Sequence, residues 1–117
     1  MHTVVETPAF LAAAKSAGMS DEVRAEVVQV VAADPRRGDL IVGAGGIRKL
    51  RHARPGKGKS GGFRVMSYYH SADYPVFLLT VFGKNQTANL SKAERNALGV
   101  IVQALIDRYP AKSDRTR

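Results

Sequence analysis

Positive charge concentrates in the middle of the chain, where Arg48, Lys49 and Arg51 are followed by His52, Arg54, Lys57 and Lys59, and then by Arg64. Gly56, Gly58, Gly61 and Gly62 interleave with them, and glycine lets a backbone come close to a phosphate group. Residues of these types suit RNA cleavage by internal attack. In that reaction the ribose 2′-hydroxyl attacks its own phosphodiester. A protein must then assist the loss of one proton, stabilise extra negative charge on the phosphoryl oxygens and help the 5′-oxygen leave. Cations and general acid/base groups suffice, with no metal and no cofactor. A lysine whose pKa is lowered by neighbouring positive charge serves as base, and arginine stays charged and clamps phosphate in a fork. The plain alternative is a solvated basic loop.

Strand parity favours a site over a loop. If Leu50 faces a core, Lys49 and Arg51 face the other way; if Phe63 and Val65 face it, Arg64, Met66 and Tyr68 point outward. Further on, the phase that buries Phe77, Leu79 and Val81 exposes Thr80 and Phe82, and Lys84 follows at the strand end. The expectation is one concave surface. Lys49, Arg51, Arg64, Lys84 and Tyr68 are its catalytic candidates, and Arg48, Lys57, Lys59 and Phe82 its RNA-binding candidates. Tyr68 and Phe82 would stack on bases, the alternative for both being core or edge packing. Gly58-Lys59-Ser60 looks like the end of an NTPase phosphate loop, but the first glycine of that motif would fall at Ala53, and a strand follows where a helix is needed. Of the histidines, His52 shares the parity of Leu50 and reads as a satisfied, partly buried residue, His70 closes a strand and His2 is terminal.

The elements that position these residues are legible from spacing. Val4 and Val5 suit a short strand, and Thr7-Pro8 caps and opens a helix towards Ala17 that Gly18 stops. Ser20 starts a second helix with Asp21 and Glu22 in its first turn. Val23, Val27, Val30 and Val31 recur through it, and Asp34-Pro35 ends it. The two helices read as an antiparallel hairpin. Three strands follow, Ile47 to about Ala53, Phe63 to about His70 and Val76 to Phe82, joined by short loops and so expected to pair antiparallel. Ser91 and Glu94 form a capping box for a last helix whose apolar face is Ala97, Leu98, Ile101, Ala104 and Leu105 and which Pro110 ends. The order predicts an α+β fold in one domain: a strand and helical hairpin over 1–42, a sheet with the basic loop over 43–89, a C-terminal helix over 90–110 and a loose tail over 111–117.

Composition limits the function classes. Eighteen Lys and Arg against ten Asp and Glu leave a formal charge of +8, which attracts polyanions, either nucleic acid or an acidic protein. With no cysteine, neither a disulfide framework nor a thiolate zinc site can form, and the three histidines are scattered. No segment reads as a signal peptide and no apolar run approaches the ~20 residues of a membrane span, so the cytoplasm is the expected compartment and no membrane the expected partner.

Gly45 to Arg51, Gly58 to Val65, Phe82-Gly83-Lys84-Asn85 and Asn89 to Glu94, in that order, resemble the HigB-like toxins of the RelE/ParE superfamily. The resemblance implies the RelE-like fold, an antiparallel sheet with an N-terminal helical pair on one side and a C-terminal helix. It also implies ribosome-dependent cleavage of messenger RNA, and neutralisation by an antitoxin protein that often carries a helix-turn-helix domain. Lys49-Leu50-Arg51 matches the family's basic-apolar-basic triplet, Gly62-Phe63-Arg64 its arginine after a glycine and an aromatic, and Lys84 its cation after the last strand. Asn85 stands where RelE itself has arginine. No tyrosine lies between Phe82 and the final helix, where RelE has one, which leaves Tyr68 as the substitute candidate. Two other readings stay open: a ParE-like gyrase inhibitor without nuclease chemistry, and a basic module that only holds nucleic acid.

Overall fold

The computed structural model describes residues 2–54, 58–83 and 90–109, with 54 and 58–61 at backbone level. Among the described residues eight elements follow one another: β1 (Val4–Glu6), α1 (Pro8–Ser16), α2 (Asp21–Ala33), β2 (Asp39–Leu40), β3 (Ile47–Arg54), β4 (Gly58–Tyr68), β5 (Val76–Phe82) and α3 (Lys92–Arg108). The predicted tail over 111–117 lies outside the described residues. Among the described residues no helix is long and apolar enough to cross a membrane.

Capping decides where the helices begin. The Thr7 hydroxyl accepts the Phe10 amide at 3.1 Å and donates to the Leu78 carbonyl at 2.8 Å, so one buried side chain both starts α1 and ties it to β5. Ser20 accepts the Val23 amide at the start of α2. At α3 the capping box is complete, Ser91 accepting from the Glu94 amide and Glu94 Oε1 from the Ser91 amide.

The five strands form one sheet in the order β1-β5-β4-β3-β2. The three long strands pair antiparallel as expected, but β1 runs parallel to β5, so the sheet is mixed and the wholly antiparallel expectation is corrected. The physical reason is non-local. The helical pair carries the chain away from β1, and a parallel neighbour needs such a crossover. Two further differences have local causes. The two residues of β2 are too few to show alternation, and β4 starts at Gly58, ahead of Phe63, where its backbone pairs with Arg54 of β3 through a glycine-rich stretch that carries no alternating pattern.

Both faces of the sheet are covered. On one, Phe10, Ala14, Val23, Val27 and Val31 of α1 and α2 pack on Leu50, Phe63, Val65, Val76, Leu78 and Val81. On the other, α3 lays Val102 on Ile47, Met66, Tyr68, Phe77 and Leu79, with Leu98, Leu105, Ile106 and Tyr109 half-buried around it. The helix is therefore rotated from the expected face. Leu98 and Leu105 turn inward as predicted, whereas Ala97, Ile101 and Ala104 stay exposed. Apolar residues run most of the way round α3, so spacing alone permits either face.

A β-bulge corrects the expected phase of β5. Met66 pairs with Thr80 but Ser67 pairs with Leu78, leaving Leu79 as the extra residue. Leu79 stays with Phe77 under α3, while Val81 turns to the α1/α2 side. Thr80 and Phe82 thereby reach the α3 side through the bulge and not through simple alternation.

Gly38 sets β2 against β3. Its φ is +100°, and a Cβ there would stand 2.7 Å from the Lys49 carbonyl oxygen. Gly45, with φ +67°, has open space around it. Gly38→Ala is expected to lower unfolding free energy by about 3 kcal/mol, and Gly45→Ala by only about 1 kcal/mol. Urea unfolding at unchanged slope measures both; equal losses would mean that the contact with Lys49 contributes nothing.

Candidate functional site

Residues directly opposite each other in an antiparallel pair share a face, with Cβ atoms about 5 Å apart. On the α3 side of the sheet this yields three rows. Ile47, Tyr68 and Phe77 form the first, Lys49, Met66 and Thr80 the second, and Arg51, Arg64 and Phe82 the third. Asp39 extends the second row on β2, opposite Lys49. From first to third the rows change from apolar and covered to cationic and open: Ile47 is fully buried, Lys49 and Arg64 are half-buried, and Arg51 is exposed. The register thus brings Lys49, Arg51, Arg64 and Phe82 together from three strands, the three cations in the phase that alternation on β3 and β4 predicted and Phe82 through the bulge in β5.

The cluster has an unusual electrostatic balance. Arg51 and Arg64 stand directly opposite each other, an arrangement of like charges that costs stability in a folded chain. Among the described residues neither they nor Lys49 make an ion pair or side-chain hydrogen bond, whereas Arg24 is bridged to Glu6 at 2.8 Å and to Asp21 at 2.9 Å. Uncompensated guanidinium groups side by side form a ready clamp for the oxygens of a phosphodiester.

Gly62 lies beside the clamp. It lies two residues before Arg64, hence on the same face, and a Cβ there would stand 3.5 Å from Arg51 Nε and 3.1 Å from the His52 carbonyl oxygen. The tighter of the two contacts is with the His52 carbonyl, so the bare backbone mainly lets β3 and β4 approach closely, and the Arg51 side chain passes it at ordinary contact distance. From sequence this glycine is legible as a place for phosphate to approach; its fit to the neighbouring strand appears only with the strand pairing.

Two expected members stand elsewhere. Arg48 has the parity of Leu50 and so faces the α1/α2 side, where its Nη1 donates to the Gly38 carbonyl at 3.1 Å and braces the turn into β2. The charge run alone could not separate it from Lys49; pleating does. Tyr68 is on the right face but at its apolar end, 9% exposed, with its hydroxyl 3.0 Å from His70 Nδ1. Burial pushes the pKa of its phenol up, so it keeps its proton at neutral pH. The expectation that Tyr68 reaches the open surface is therefore corrected: it packs in the α3-side core. Lys57 and Lys84 lie outside the described residues, as does the side chain of Lys59.

The histidines serve structure. His52 Nε2 meets Glu26 Oε1 at 2.9 Å, linking β3 to α2, and His2 packs edge-on against Tyr69. Among the described residues no three of His, Asp and Glu gather as metal ligands. Spacing did not reveal that an open groove of about 290 Å³ runs beside Phe82, between β5 and α3, with Thr80 and Glu94 as its polar lining.

One comparison with known proteins places the chain in a family. The family model for the RelE toxin of the RelE / RelB toxin-antitoxin system matches residues 2–113. With nearly its whole length matched, this chain belongs to the RelE toxin family.

Proposed function

We propose that this chain is the toxin of a type II toxin–antitoxin pair, of the HigB-like branch, and that it cleaves messenger RNA on the ribosome without a metal of its own. The observation that carries the reading is the row Arg51, Arg64 and Phe82 with Lys49 beside it, cations that make no ion pair among the described residues, next to an aromatic ring. A gyrase inhibitor that acts by binding alone has no need of such a converging set.

In the proposed reaction the 2′-oxygen forms a bond to phosphorus as the bond from phosphorus to the 5′-oxygen breaks, leaving a 2′,3′-cyclic phosphate and a 5′-hydroxyl. Arg64 and Arg51 hold the nonbridging oxygens as negative charge grows on them. Lys49 takes the 2′-hydroxyl proton, the departing 5′-oxygen takes a proton from solvent to become the 5′-hydroxyl, and Lys84 supplies positive charge at that oxygen. Phe82 stacks on a base next to the cut. The ribosome presents the RNA in a single-stranded, accessible form, and an antitoxin protein, of helix-turn-helix type in our reading, silences the activity by covering the cationic face in the cytoplasm.

The test is cleavage of a translated messenger by purified, antitoxin-free protein. Wild-type protein is expected to cut, and Arg64→Ala and Lys49→Ala to lower the rate by roughly 100-fold or more while remaining folded. Intact messenger with wild-type protein would remove the nuclease reading, and gyrase-linked DNA breaks in its place would establish the inhibitor. Tyr68→Phe, by contrast, is expected to keep the cleavage rate within about twofold, since a buried phenol that holds its proton is no base at neutral pH.

Arg64→Gln separates function from stability. Removing one of two opposed, unpaired charges is expected to raise unfolding free energy by a few tenths of a kcal/mol, roughly the size of a cross-strand pair term, in low salt. The gain should shrink as salt screens the repulsion. Thermal unfolding at two ionic strengths measures it, and a loss of stability in low salt would show that Arg64 is held by favourable contacts.

A further inference from the structure

β1 pairs with β5 only as far as Leu78, so among the described residues Leu79 to Phe82 carry no strand on that side. The groove of about 290 Å³ opens there, with Leu79, Thr80 and Phe82 on one wall and Glu94, Leu98 and Ile101 on the other. We propose that it receives the base of the nucleotide whose phosphate lies over Arg64, and that Glu94 makes guanine the preferred base. This rests on the reading of the cationic row as an RNA site.

Three observations support it. Phe82 belongs to both features: it stands directly opposite Arg64 and it lines the groove, so phosphate site and groove are continuous across one cross-strand step. The walls are apolar apart from the Thr80 hydroxyl and the Glu94 carboxylate, a lining suited to a flat ring that stacks on one face and is read at its edge. Glu94 also stays ionised, because hydrogen bonds from the backbone and side chain of Ser91 hold its carboxyl below the usual range. One of its oxygens accepts the Ser91 amide at 3.0 Å, and a carboxylate has lone pairs for further donors.

Base choice follows from what a carboxylate can accept. Guanine presents two adjacent N–H donors on its pairing edge. Adenine and cytosine set a ring-nitrogen acceptor beside the amino group, and uracil flanks its single N–H with carbonyl oxygens, all of which a carboxylate repels. An exposed apolar groove can also seat a side chain of a protein partner, and the experiment separates that occupant from a base.

The experiment titrates the full chain, free of antitoxin, with each of the four ribonucleoside 5′-monophosphates while amide chemical shifts are followed. GMP is expected to bind roughly tenfold more tightly than UMP, with shifts at Thr80, Phe82 and Leu98. Glu94→Gln keeps an acceptor for the Ser91 amide, and hence the helix start, and is expected to bring GMP down to the level of UMP. Leu98→Trp fills the groove and is expected to abolish the shifts at Thr80 and Phe82. Equal binding of all four nucleotides overturns the proposal, as do shifts confined to Arg51 and Arg64. So does a Leu98→Trp protein that titrates like wild type but binds antitoxin weakly, which would make the groove a protein-docking site. None of these readouts needs strand scission. Selective binding without cleavage removes the nuclease reading alone, and cleavage with unselective binding removes this inference alone.

Discussion

The pairing register of β3 with β4 and of β4 with β5 is the constraint on which the rest depends. Side chains alternate across a strand, so a slip of one residue would carry Arg51 and Arg64 into the space filled by Phe10, Val27 and Val31, and would expose Leu50 and Val65. The burial of Leu50, Phe63 and Val65 beneath α1 and α2 thus decides, from the opposite side of the sheet, which cations reach the open face. The bulge at Leu79 belongs to the same constraint. Without it Val81 would face α3 and Phe82 would turn away from Arg64.

That arrangement opposes stability locally. Two arginines stand face to face without a carboxylate between them, although acidic residues are present nearby: Glu6 and Asp21 engage Arg24, and Glu26 engages His52, all on the α1/α2 side. These three acids pair behind the sheet; in front of it Asp39 stands opposite Lys49 and Glu94 lines the groove, and among the described residues neither pairs with Arg51 or Arg64. A polyanion in front relieves the repulsion, which is a physical reason for such a surface to bind one. Two glycines allow close strand approach here, Gly62 beside the His52 carbonyl and Gly38 beside the Lys49 carbonyl.

α3 covers only part of the front face. Its capping box sets where it starts, and Val102, Leu98 and Leu105 set which side lies on the sheet. The apolar residues left over do not all find cover: Ile101 is 45% exposed and Val100 71%. Because the helix shields Ile47, Tyr68 and Phe77 but stops short of Arg51 and Arg64, one face holds both a core and a site, and the groove beside Phe82 marks the boundary between them.

Much of this was legible in the sequence. Thr7-Pro8, Ser20 and Ser91 with Glu94 mark helix starts through hydrogen bonds made within three residues, and α1, α2 and α3 begin where those signals stand. Alternation around Leu50 and around Phe63 to Val65 likewise assigned Lys49, Arg51 and Arg64 to one surface, because the pleat is a local property of each strand. Three features were decided only by the tertiary structure: the parallel seat of β1, the bulge at Leu79 and the burial of Tyr68. Each depends on what lies across the sheet or above it. A strand's own residues determine which of its side chains share a face, but only its neighbours determine which face is left open.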